Sequence, residues 1–193
     1  MRSRFDEQLA QLNREMIEMG AQCEEVIALA SKALTEADMK LAAKVAPLSA
    51  DIDRKEREIE ALCLRLLLQP VARDLRQISA ALKMITDLER IGDQAEEIAD
   101  IISFIDGHNP EDYVTLTEMA KAAIHMVTES IDAYVKHDTI LAEKVVDEDD
   151  IVDEYFLQVK SKLIAKIAKD PDDGEYALDL LMIAKYFERI GDH

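Results

Sequence analysis

The chain of 193 residues is 49% hydrophobic, with only four prolines and five glycines and no tryptophan. This composition excludes a disordered chain and favours helices over hairpins. Its 41 acidic residues outweigh 23 basic ones, for a net charge of −18, which repels nucleic acid and anionic membrane surfaces and argues against both as partners.

From Phe5 the apolar positions run Leu9, Leu12, Met16, Met19, Cys23, Val26 and Ala30. Steps of three and four mark the buried face of a helix, which we place over residues 4–36. Asp38 reads as the N-cap of a second helix continuing to about Leu68, where Gln69-Pro70 breaks the pattern. A long third helix begins near Ala72 or Arg73 and runs through Leu75, Ile78, Leu82, Ile85, Leu88, Ile91, Ala95, Ile98 and Ile102 to Ile105. Asp106-Gly107-His108-Asn109-Pro110 is the strongest punctuation in the chain. It divides the sequence into residues 1–107 and 108–193, each expected to form one three-helix bundle. In the second half, helices are expected over 114–136, from Asp138 to about Ala168, and from near Glu175 onward.

Cys23 and Cys63 lie far apart within helical patterns and read as small core residues of a reducing compartment. The opening Met-Arg-Ser-Arg-Phe-Asp-Glu leads into no apolar stretch and so is not a signal peptide. No apolar run approaches the ~20 residues a bilayer span needs. The expectation is a cytoplasmic protein that is not integral to a membrane.

The halves repeat. Asp38-Met39-Lys40-Leu41-Ala42-Ala43-Lys44-Val45 aligns with Asp138-Thr139-Ile140-Leu141-Ala142-Glu143-Lys144-Val145, with five identities in eight. Glu89-Arg90-Ile91-Gly92-Asp93 recurs in full as Glu188-Arg189-Ile190-Gly191-Asp192. Two matches in register indicate an internal duplication, and the fold class is all-α: two tandem three-helix bundles. The last helix stops at His193, whereas the third continues well beyond Asp93. The duplication thus leads us to expect a tail of roughly 15–25 further residues.

The repeated motif carries acids. Glu89 and Asp93, like Glu188 and Asp192, are one helical turn apart at the border of the apolar stripe, where two like charges repel by a few tenths of a kcal/mol. Repeating that repulsion points to a positive partner, either a metal ion held by oxygen ligands or a Lys or Arg from a neighbouring helix. Gly92 and Gly191 each cost up to about 1 kcal/mol inside a helix, a cost usually accepted for close approach of another backbone or a ligand. The middle helices add Asp149 and Asp153, a second pair four apart. Asp153 aligns with Asp53, but Ser49 stands opposite Asp149, leaving the first half one acid short. Asp51 points elsewhere on its helix, and Glu97 reads as a solvated acid.

At these residues the sequence resembles the PhoU family of regulators of bacterial phosphate uptake. The resemblance takes in Phe5-Asp6-Glu7-Gln8-Leu9, the junction Gln69-Pro70-Val71-Ala72-Arg73-Asp74-Leu75-Arg76 and both Glu-Arg-Ile-Gly-Asp segments. It implies a pseudo-twofold pair of three-helix bundles whose Glu/Asp-x-x-x-Asp motifs hold metal ions. The implied ligands are Glu89, Asp93, Glu188, Asp192, Asp149, Asp153 and Asp53, and the implied cofactor is a divalent or iron cation (Fe, Zn, Mg or Mn). It further implies a non-catalytic negative regulator of the phosphate-starvation response. Such a regulator links the ATPase of the phosphate ABC transporter to a sensor histidine kinase, and a homodimer is expected. Two other readings stand beside it. A di-iron carboxylate enzyme would carry Glu-x-x-His on two helices, and none of His108, His125, His137 or His193 has an acid three residues before it. A metal-free helical adaptor is opposed mainly by the repeated glycine-containing motif. His125 and His137 read as surface residues.

Overall fold

The computed structural model describes residues 2–68, 75–105 and 109–193. The described residues contain no strand. In chain order they form α1 (Arg2–Glu36), α2 (Met39–Ala42), α3 (Val45–Leu67), α4 (Leu75–Ile102), α5 (Pro110–Lys136), α6 (Thr139–Lys169), a 3-10 turn (Pro171–Asp173) and α7 (Gly174–Asp192).

Three boundaries differ from the sequence reading, two of them because of a proline. The second helix is interrupted, with α2 ending at Ala42 and α3 beginning at Val45. Pro47 explains the break, because it cannot donate to the carbonyl of Ala43 and its ring would collide with that group. Restarting the helix at Val45 moves Pro47 into a first turn, where no donor is needed. The second half has Asp147 at the equivalent place, and α6 runs from Thr139 without interruption. The fourth expected helix starts at Pro110, four residues earlier than read: Asn109 Oδ1 accepts from the Glu111 amide at 3.3 Å, with Pro110 as the first helical residue. The third helix ends at Ile102 instead of Ile105. Its expected start at residues 72–73 lies outside the described residues, as does the expected boundary between residues 107 and 108.

Both halves use the same hairpin between their first two helices. Ala37 and His137 adopt left-handed backbone conformations with φ of 50° and 55°. Asp38 Oδ1 then accepts from the amides of Lys40 and Leu41 at 2.8 and 3.2 Å, and Asp138 Oδ1 from those of Ile140 and Leu141 at 3.1 and 3.0 Å. A left-handed alanine is strained by about 1–2 kcal/mol, while glycine gives back part of that through the entropy of the unfolded chain. Ala37→Gly is therefore expected to stabilise the fold by about 0.5–1 kcal/mol, read as a raised thermal midpoint.

The helices bury their apolar stripes in one continuous core. In α1, Leu12, Met16, Met19, Cys23, Val26 and Ile27 are fully buried, and in α7 so are Leu180, Ile183, Ala184 and Phe187. Helix α1 packs on α3 and α4 of its own half and on α5 of the other; α7 packs on α5 and α6 and on α4. The two largest contacts across the halves, α1 with α5 and α4 with α7, each join a helix to its own repeat counterpart, as a twofold-like relation requires. Cys23 and Cys63 are buried free thiols, as read. Burial pushes the Cys23 thiol up to about 12, and it donates to the Leu88 carbonyl at 3.3 Å. No described helix is long and apolar enough to cross a membrane.

Candidate metal centre

The two glycines of the repeated motif mark where the third helix of each half meets the middle helix. A Cβ on Gly92 would lie 3.2 Å from Ile52 Cδ1 and 3.4 Å from Ser49 Oγ. On Gly191 it would lie 3.0 Å from Asp149 Oδ1 and 3.4 Å from Val152 Cγ1. Of the two readings of these glycines, close helix approach is what the packing requires. Its consequence is chemical, because it brings the acids of the middle helix beside those of the motif.

In the first half, Asp53 from α3 meets Glu89 and Asp93 from α4, with one carboxylate oxygen of each inside a 4.8 Å span. Burial and the surrounding carboxylates raise Glu89 and Asp93. Glu89 is pushed above the ordinary glutamate range first by burial, then by Asp93, Glu56 and Asp53, against a small opposing effect of Arg90. Asp93 is raised by burial and then by Asp53 and Glu97. Glu56, one turn after Asp53, is raised by burial and by Glu60 and Asp53, and extends the acidic face. Cations are sparse here. Arg57 reaches Asp53 Oδ2 only at 4.0 Å, Arg90 pairs instead with Asp87 at 3.5 Å, and Asp51 is held by Arg54. Asp53 Oδ1 is buried with no hydrogen-bond partner. Glu97 is exposed and accepts from the Tyr186 hydroxyl across the halves at 3.3 Å, while Ser49 is buried against Gly92 and supplies no acid.

In the second half, Asp149 is raised by burial and then by Asp153, Asp192, Glu188 and Asp150, so the four acids expected together share one electrostatic neighbourhood. Asp149 Oδ1 is likewise buried without a partner. Glu188 is the most buried of them, at 9% exposure, and is engaged by Lys185 one turn earlier. Asp149, Gly191 and Asp192 also line a cleft of about 740 Å³ between the halves, together with Met84, Tyr134 and Val145. In the first half, Ala95, Ile98, Ala99 and Ile102 of α4 beyond Asp93 are buried, and so is Ala42.

Two buried, unpartnered carboxylate oxygens and two groups of mutually repelling acids fit a cation better than they fit an ion-pair network. The donors are all oxygen, which suits hard cations such as Mg²⁺, Mn²⁺ or iron. Sequence reasoning passed over Glu56, whose counterpart in the other half is Phe156, so the repeat gave no signal for it.

A family model described as the PhoU domain matches residues 16–102 and 116–193, one segment per half. The chain belongs to the PhoU family. It is 35% identical over 185 residues to the phosphate-specific transport system accessory protein PhoU homolog of Aquifex aeolicus, covering 94% of this chain and 84% of that protein. It is 30% identical to the homolog from Deinococcus radiodurans, covering 100% and 92% of the two. Among solved structures, PhoU from Pseudomonas aeruginosa superposes with a TM-score of 0.90 at 33% identity, covering 98% of this chain and 92% of the other. The phosphate transport system regulatory protein PhoU from Streptococcus pneumoniae gives a TM-score of 0.88 at 26% identity, with 97% and 90% covered. These PhoU relatives are named accessory or regulatory proteins and not enzymes, in keeping with the absence of a Glu-x-x-His pair from the sequence.

Proposed function

We propose that this PhoU-family protein is a metal-binding accessory regulator of phosphate uptake, acting as a negative regulator of the phosphate-starvation response. Its helical surface docks to the ATPase of the phosphate ABC transporter and to a sensor histidine kinase on the cytoplasmic side. One cluster would be held by Asp53, Glu89 and Asp93, the other by Asp149, Asp153, Glu188 and Asp192. The observation that carries the metal assignment is the convergence of Asp53, Glu89 and Asp93 oxygens within 4.8 Å, with Arg57 reaching Asp53 only at 4.0 Å. A bound cation supplies positive charge that offsets the repulsion and fixes the acids in one arrangement. The acids do the rest: they tie the middle helix to the motif helix, so the shape of the docking surface depends on whether they are neutralised. The net charge of −18 keeps free phosphate at a distance, which favours sensing through partners over direct binding.

A metal-free adaptor is the second reading, favoured by the Lys185–Glu188 pair in the second half. Elemental analysis of protein purified without an affinity tag separates the two. The proposal expects bound metal that falls when Glu89→Gln and Asp93→Asn are introduced; protein that carries none under metal-replete growth would establish the adaptor. The partner assignment is tested by a pull-down with the transporter ATPase and the kinase, and recovery of neither would end it.

A further inference from the structure

His125, Glu129 and Glu148 lie outside both acidic clusters and outside the duplicated motif. His125 and Glu129 are one turn apart on α5, and Glu148 faces them from α6. One donor atom from each falls within a common 4.8 Å span. His125 Nε2 lies 3.5 Å from Glu129 Oε1 and 3.7 Å from Glu148 Oε1. Around a tetrahedral ion with bonds of about 2.1 Å, neighbouring ligand atoms are spaced about 3.4 Å apart. The imidazole and the two carboxylates therefore already stand close to coordination distance from one another.

A second observation points the same way. A cation already occupies this place, since Lys144 Nζ bonds both oxygens of Glu129 at 3.0 and 2.9 Å and reaches Glu148 Oε1 at 3.1 Å. Glu148 Oε2 remains buried and without a partner, so one ammonium does not use up the negative charge gathered there. The side chains of Glu129 and Glu148 are mostly shielded, at 20% and 17% exposure, whereas that of Lys144 is 55% exposed. The acids are the shielded groups and the lysine is the one open to water. At the matching positions of the first half stand Glu25, Leu29 and Leu48, so the cluster is private to the second half.

We propose that His125, Glu129 and Glu148 form a separate divalent-cation site with one nitrogen and two carboxylate ligands, and that Lys144 is its displaceable placeholder. The mixed donor set favours a borderline ion such as Zn²⁺ over the hard cations suited to the all-oxygen clusters. Binding requires the ammonium to leave the two carboxylates, so the site's affinity is set by competition between Lys144 and the metal.

The test is a Zn²⁺ titration of the full chain, followed through the ring-nitrogen NMR signals of its four histidines. The His125 Nε2 signal is expected to shift on saturation while His137 is unmoved. Lys144→Gln is expected to tighten Zn²⁺ binding at His125 by about fivefold, the factor that corresponds to freeing an exposed ion pair. Glu148→Gln is expected to weaken it by at least about tenfold. The Lys144 side chain is exposed and that of Glu148 mostly shielded, so thermal unfolding of each variant is measured to confirm the fold. No response of His125 to millimolar Zn²⁺, or weaker binding in Lys144→Gln, would overturn the proposal. Removing a placeholder strengthens binding of the ion it competes with, whereas removing a lysine that only holds the acids in place would weaken it. Glu89→Gln is expected to leave this signal unchanged, so loss of the acidic-cluster reading and loss of this one give different results.

Discussion

Saturating one acidic cluster with a divalent cation at a hundredfold excess over its dissociation constant is expected to stabilise the folded chain by about 2.7 kcal/mol. For a chain of this size that corresponds to a rise in Tm of about 5–10 °C. In chelator the same acids work in the opposite sense. Glu89, Asp93 and Asp149 are all raised above their ordinary range, by burial first and then by the carboxylates beside each. A carboxyl with a raised folded-state pKa binds its proton more tightly in the native chain than in the unfolded one. Stability therefore falls as pH rises from the ordinary carboxylate range through the raised values, and mild acidification from neutral recovers it. Glu89→Gln mimics that recovery. Its Tm is expected to equal or exceed that of the parent chain in chelator and to fall below it with Mn²⁺ or Mg²⁺ present. Thermal unfolding followed by circular dichroism, with and without metal at two pH values, checks both signs at once. A variant that is less stable than the parent in chelator would mean that Glu89 makes a favourable contact, and the repulsion argument would be wrong.

The sequence carried most of the architecture because the local signals agree with the packing. Asp38 and Asp138 cap their helices as their positions suggest, and the stripe from Leu12 to Ala30 is buried throughout. The Glu-Arg-Ile-Gly-Asp motif put Glu89 and Asp93 one turn apart on one helix, and the packing brings Asp53 beside them. What escaped notice was of two kinds. Pro47 breaks a helix whose apolar spacing continues undisturbed through Leu41, Val45, Leu48 and Ile52, so a reading based on period does not register it. Pro110 looks like a stop signal and is in fact a helix start, because a missing amide is harmless in the first turn. The other kind is tertiary. Glu56 joins the first cluster, and Glu148 joins His125 from another helix, through packing that no spacing within one segment encodes.

Phe187→Ala is expected to cost about 3–5 kcal/mol, the largest single-residue loss in the chain. Phe187 is fully buried and among the bulkiest such side chains. It also sits on α7, the helix that packs on α4, α5 and α6 and so closes the second bundle against the first. Its repeat counterpart, Leu88, is smaller and 5% exposed, with the Cys23 thiol donating to its carbonyl. The two halves therefore fill equivalent places with different volumes. Phe187→Leu, by contrast, keeps most of the contact and is expected to cost less than about 1.5 kcal/mol. Because Glu188 follows directly in the chain, the alanine variant is also expected to weaken cation binding at the Asp149 cluster while leaving the Asp53–Glu89–Asp93 cluster intact. Urea unfolding gives the first quantity, and metal titration of Phe187→Ala in a Glu89→Gln background gives the second. A loss of less than about 1 kcal/mol on Phe187→Ala would mean that α7 unfolds apart from the rest, and the continuous core described here would divide at the seam between α4 and α7.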